Sequence, residues 1–207
     1  MTPVPIPPSS PSATVAPAGD EKIARAVPPV EPTPPPVFPR YQYRSSSPPA
    51  KGNRSLAQNL FGQAGHAYEE RQFGEAMKLY RQAVNADPSY FEAAYNLGLL
   101  AYQNKDLPLA LAANEQAVAL KPSSADARYN FALTLREAHY PVDAANELRE
   151  LLNTSPNEAR ANLALANLYA QQLDEHALAR SHYERFLELS PNHADAPAVR
   201  QWLVLHP

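Results

Sequence analysis

A strict period constrains this chain more than any other feature. Pro88, Pro122 and Pro156 stand 34 residues apart, and Pro191 follows after 35. Ala76, Ala110, Ala144 and Ala179 keep the same steps, and the small residues Ala64, Gly98, Ala132 and Ala166 step by 34 throughout. The extra residue of the last unit therefore falls between Ala166 and Ala179. The turn at Gln171–His176 is its natural place, because a loop absorbs an insertion at little entropic cost. A repeat of this length cannot bury its apolar face alone. Neighbours must stack, and about three or more units are needed.

Each unit reads as two helices. In the second, Tyr95–Tyr102 belongs to one helix, Asn104–Leu107 to the turn, and Pro108–Leu120 to the other. Pro108 and Pro141 fall near second-helix starts, where a missing N–H is tolerated. The later proline of each unit ends its helix. The two small-residue series place one small side chain on each helix, at the level where the pair crosses. Anything larger would force the axes apart, at about 1–3 kcal/mol.

Composition separates the chain into two parts. Of its 23 prolines, fifteen lie in residues 1–50. A segment of that density buries too little to offset its ordering entropy, so residues 1–54 read as a disordered Pro-rich arm. PxxP spacings such as Pro36-Val-Phe-Pro39 could dock on aromatic grooves or arise from proline density alone. Arg40-Tyr-Gln-Tyr-Arg44 reads as ordinary linker, with a short adhesive motif as the other reading. The arm carries net charge +3 and the remainder −6. An acidic folded part argues against a nucleic-acid partner. The absence of cysteine excludes a disulfide scaffold and thiol chemistry. No apolar run is long enough for a membrane span. Met1-Thr-Pro-Val-Pro does not read as an export signal. Cytoplasmic residence and envelope residence with an upstream signal both stay open.

Residues 57–192 resemble the tetratricopeptide repeat (TPR) family. Tyr95-Asn96-Leu97-Gly98, Ala110, Ala117 and Pro122 carry the likeness in the second unit, and Ala64, Ala76, Tyr80, Ala83 and Pro88 in the first. The third keeps Ala132, Ala144 and Pro156 but has Leu151 at a usual alanine. The fourth keeps Leu165, Ala166, Tyr169, Ala179, Tyr183 and Pro191, with Phe186 where alanine is usual. The resemblance implies an all-α, right-handed α-solenoid of four helix pairs over 55–192. The units run at about 57–90, 91–124, 125–158 and 159–193. Residues 193–207 read as a capping helix, with Ala198, Val199, Trp202, Leu203 and Leu205 as its apolar stripe.

The resemblance also implies a concave groove, lined by the first helices, that binds a peptide or protein partner. Here it would present Phe61, Tyr68, Tyr95, Asn96, Leu99, Tyr102, Asp126, Tyr129, Asn130, Arg136 and Asn167. Amides can bond a peptide backbone, and aromatic faces supply apolar area. The tyrosines could equally pack between helices. Chaperone co-factors of the family clamp a carboxylate with basic residues and asparagines. The corresponding places here hold Phe61, Gly65, Asn96, Asp126 and Asn130, so no acidic chaperone tail is expected to bind. No catalytic motif, cofactor loop or metal-ligand spacing is present, and His66 with Glu69 and Glu70 reads as a solvated face. The sequence thus points to a non-catalytic scaffold without cofactor or metal. A structural envelope component tethered by the arm is the alternative. A further possibility is self-regulation, with Tyr41 and Tyr43 lying in the acidic domain's groove.

Overall fold

A computed structural model describes residues 37–44 and 49–207. The chain divides into two units, Met1–Pro36 and Val37–Pro207, and every described residue belongs to the second. Of the arm expected over 1–54, residues 1–36 and 45–48, with most of its PxxP spacings, lie outside the described residues.

The proline period is realised as paired helices. Among the described residues these are α1 (Arg54–Glu69), α2 (Phe73–Ala86), α3 (Phe91–Gln103), α4 (Leu107–Leu120), α5 (Ala125–Glu137), α6 (Pro141–Thr154), α7 (Ala159–Gln171), α8 (His176–Leu189) and α9 (Ala196–Leu205). Each helix packs on the next in the chain, and α3 also touches α5. Pro88, Pro122, Pro156 and Pro191 each stand two residues beyond a second helix, after a C-cap with extended or near-extended backbone. That is the conformation a following proline imposes. Pro108 and Pro141 occupy the first turns of α4 and α6.

The turns within the pairs repeat as faithfully. Arg71, Lys105, His139 and Asp174 all have left-handed backbone, with φ between 55° and 63°. In the first three turns the amide after this residue bonds five residues back and its own amide three back, as in Gln72 to Ala67 (2.8 Å) and Arg71 to Tyr68 (2.9 Å). This is the Schellman arrangement, built here without glycine. The fourth turn, between α7 and α8, holds the inserted residue, as the spacing required.

Both small-residue series are buried at the crossings of their helix pairs. Gly98 shows how tight one crossing is: a Cβ there would sit 2.2 Å from Asn114 Oδ1. Leu151 and Phe186, the two departures from alanine, are 1 % exposed and fill the core of the third and fourth units. At the C-terminus α9 covers α8 through Ala196 and Val199, with Trp202 tilted against Tyr183 at 4.8 Å. Arg180 donates to the Leu203 and His206 carbonyls at its end. The expected stripe is corrected at two positions. Ala198 and Leu205 face solvent, and Ala196 takes the place next to Val199. No helix among the described residues is long and apolar enough to cross a membrane.

Candidate functional site: two faces of one helix stack

The first helices line one side of the stack. Between α1 and α3 a cavity of about 260 Å³ is lined by Tyr68, Tyr80, Asn96, Leu99 and Gln103. Between α3 and α5 a smaller one, about 160 Å³, is lined by Leu99, Tyr102, Gln103, Asn114, Asn130 and Leu133. Between α5 and α7 the space opens to about 500 Å³, lined by Tyr129, Leu133, Arg136, Arg160, Leu163 and Asn167 among others. Shared lining residues, Leu99 and then Leu133, join the three into one row. Of the sequence-derived site residues, Tyr68, Asn96, Leu99, Tyr102, Tyr129, Asn130, Arg136 and Asn167 are brought into this row.

Three others are used differently. Phe61 packs between Tyr80 and Tyr90, at 5.4 and 5.3 Å between ring centroids. Tyr95 is half-buried and stacks on Phe91. Asp126 is exposed and held by Arg160, which also bonds Glu158 and lies 4.7 Å above the Tyr129 ring. Burial alone would lower the Arg160 guanidinium, but the Asp126 hydrogen bond and the Glu158 and Asp126 charges more than offset it, leaving it above its ordinary value. Asp126 is therefore a paired carboxylate and not a free charge in the groove. Sequence reasoning missed Tyr80, Glu158, Phe186, His193 and Asp195 as lining residues. All but Glu158 are supplied by second helices or by the α8–α9 connection, outside the register that marks first-helix positions.

One position links the row to the interior. Asn114 is fully buried and donates to Thr134 Oγ1 at 2.9 Å, and Thr134 in turn donates to the Asn130 carbonyl. Its own Oδ1 has no partner among the described residues.

The other side of the stack is occupied. Residues 37–44, which have no regular secondary structure, lie along the cleft between the second helices α4 and α6, over α5. The Arg40 guanidinium binds Asp143 at 2.8 to 3.2 Å through two nitrogens, and the Tyr41 amide donates to the same carboxylate at 2.8 Å. The Tyr41 hydroxyl donates to Glu115 at 2.7 Å and the Tyr43 hydroxyl to Glu147 at 2.9 Å. The Arg44 amide donates to Glu115. Beneath them the Tyr41 ring meets Phe131 and Tyr140 edge-on, at 5.7 and 5.5 Å, and the Tyr43 ring meets Phe131 at 6.0 Å.

Asp143, Glu115 and Glu147 are 1 %, 7 % and 8 % exposed. Buried carboxylates need donors, and the segment supplies six of them; Arg128 supplies another to Glu147. Burial, then the bond to Glu115, pushes the Tyr41 phenol above its ordinary value, and burial with the Glu147 charge does the same for Tyr43. Both hydroxyls stay protonated, as donors to carboxylates must.

This corrects two readings of Arg40–Arg44. The segment is not plain linker, and it does not lie in the first-helix groove. Tyr129 and Leu133 of α5 line the groove, whereas Phe131, about 200° round the helix from each at ~100° per residue, carries the tyrosines. The signal available in sequence was the complement itself: an Arg-Tyr-x-Tyr-Arg patch, and Asp143 and Glu147 one turn apart on one helix.

The lead into α1 is fastened separately. Asn53 donates to the Ala86 carbonyl at 2.7 Å, the Gly52 amide to Asp87 at 3.0 Å, and Arg54 pairs with Asp87 at 2.7 Å. A Cβ at Gly52 would lie 2.2 Å from the Ala86 oxygen, so only glycine permits this approach. Burial would raise the Asp87 carboxyl, but bonds from Ser89 and the Gly52 amide hold it below its ordinary value.

Comparison with known proteins agrees with this architecture. The tetratricopeptide repeat model matches residues 52–125 and 129–194. No curated protein matches the chain. Among solved structures, MamA superposes with a TM-score of 0.67 at 20 % identity, covering 73 % of this chain and 81 % of its own. YrrB, described as a TPR protein with an unusual peptide-binding site, gives 0.65 at 20 % identity, covering 71 % and 75 %. A tetratricopeptide repeat protein from Parabacteroides merdae gives 0.66 at 19 %, covering 72 % and 59 %. At these identities the likeness is one of fold. The period, the paired helices with their buried small-residue crossings, and the family match over most of the chain together make this a member of the tetratricopeptide repeat family.

Proposed function

We propose that the chain is a non-catalytic binding module that holds a peptide or protein segment along its first-helix row and so acts as a scaffold. One observation carries the reading: three cavities, joined through Leu99 and Leu133, run in a row along the first helices. The chemistry changes along the row. Its α1–α3 end offers tyrosines, Leu99 and the amides of Asn96 and Gln103. Its α5–α7 end adds Arg136 and Arg160. Arg160 is neutralised by Asp126 and Glu158, while Arg136 has no ion-pair partner among the described residues. The ligand that fits is an extended segment with apolar side chains and an acidic side chain placed over Arg136. YrrB, which shares the fold, is described as having a peptide-binding site, which supports a peptide ligand here.

Lysine-rich clamp chemistry is absent at Phe61 and Gly65, so acidic chaperone tails are not the ligands proposed. The alternative role as a tethered envelope component turns on residues 1–36, and no described residue favours it. The test is an array of short peptides varied in apolar and acidic content, probed with the full chain. Asn130→Ala should weaken all bound peptides, by amide loss worth about 1 kcal/mol or more. Arg136→Ala should weaken only those with an acidic residue. Binding that is indifferent to both changes would contradict the reading.

A further inference from the structure

We infer that the cleft between α4 and α6 is a second peptide-recognition site, specific for an Arg-Tyr-x-Tyr segment, whose occupant is this chain's own Arg40–Arg44. The inference is independent of the first-helix row. Three features set it apart from ordinary packing.

The first is that the contacts read side chains. A guanidinium fork meets one carboxylate, two phenol hydroxyls meet two others, and two rings sit edge-on over Phe131 and Tyr140. Bidentate and charge-assisted bonds are the geometrically selective ones. A segment without the arginine or either tyrosine leaves a carboxylate short of a donor.

The second is the charge of the cleft. Glu115, Asp143 and Glu147 come from two helices, with Arg128 as the cation bound among them. Without an occupant these acids repel one another and return to water, so the cleft favours a cationic, donor-rich strand and rejects an acidic one.

The third is attachment. The segment makes no secondary structure of its own and joins α1 through residues 45–53, the end of which is pinned to the α2–α3 turn. It is a ligand on a short tether, at an effective concentration on the order of millimolar. A partner strand of the same chemistry must compete with that concentration, and on winning it frees residues 37–44.

The probe is a labelled synthetic peptide of residues 37–46. It is titrated against the full chain and against the full chain carrying Arg40→Ala, Tyr41→Ala and Tyr43→Ala. The triple variant should bind it saturably, the wild type about tenfold or more weakly through tethered competition, and addition of Asp143→Asn should abolish binding. A folded triple variant that fails to bind overturns the proposal, as does binding that ignores Asp143→Asn. Hydrogen exchange on the unaltered chain needs no variant to fold. The Tyr41 and Arg44 amides should be protected independently of protein concentration, and excess peptide at millimolar concentration should lower that protection, because the incoming copy takes the same seat. Unprotected amides overturn the proposal. Protection that falls on dilution also overturns it, because the occupant is then a second copy.

Discussion

The two sides of α5 differ in how completely the chain satisfies them. On one side Tyr129 and Leu133 line an open row of cavities with amides and a guanidinium. On the other, two residues along, Phe131 is 1 % exposed beneath Tyr41 and Tyr43, and each nearby carboxylate has its donors. The contrast teaches that a helical repeat presents two chemically distinct surfaces from one set of helices. The face over Phe131 is filled by the chain's own extended segment, and the face over Tyr129 and Leu133 is open.

The sharpest way to break this comparison is to truncate each side in turn. Phe131→Ala should cost about 3–5 kcal/mol, as for a fully buried phenylalanine. Tyr129→Ala, losing part burial and the Arg160 contact, should cost about 1 kcal/mol. Chemical denaturation measures both, and equal losses would mean that the two sides are not distinct. Next in size, Tyr41→Ala should cost about 1–3 kcal/mol, from apolar area and the Glu115 bond. The same change should leave peptide binding in the first-helix row unaltered, which a titration checks.

The smallest effect concerns pH. Burial holds His182 below its ordinary value of 6.5, against Asn162 at 3.0 Å and stacked on Tyr169. Because the folded value is depressed, its contribution is complete above pH 6.5 and is lost as pH falls through that lower value. Melting temperatures from pH 7 to 5 should drop more in the wild type than in His182→Gln, by an amount worth under about 1 kcal/mol. This acid response resides in the α7–α8 pair, away from the filled cleft, and should persist when Tyr41 is removed.

Much of the fold was legible in sequence, because the period records local necessities. A proline two residues past each second helix, a small residue at each crossing and an insertion in the fourth turn are imposed by backbone geometry and packing within a unit. The left-handed residues Arg71, Lys105, His139 and Asp174 were not legible, since none is glycine and the bonds around them, Schellman pairs at the first three, involve backbone alone. The groove was legible where side chains project from first helices at fixed register. It was not legible where Tyr80, Phe186 and His193 reach in from other elements, or where Phe61 and Tyr95 turn to pack on neighbours. The filled cleft was hidden for a different reason. Its bonds join residues 71 to 104 apart in the chain, and Glu115, Asp143 and Glu147 each look like solvent-facing acids until a donor-rich segment is laid across them.

The separation of the two faces is tested most directly by a pair of double-mutant cycles sharing Tyr41→Phe, which removes only the hydroxyl. Paired with Glu115→Gln, the stability changes should fail to add by about 0.5 kcal/mol or more, because the two groups bond each other. Paired with Asn130→Ala, they should add within about 0.3–0.5 kcal/mol. Additivity with Glu115, or coupling with Asn130, would contradict the account.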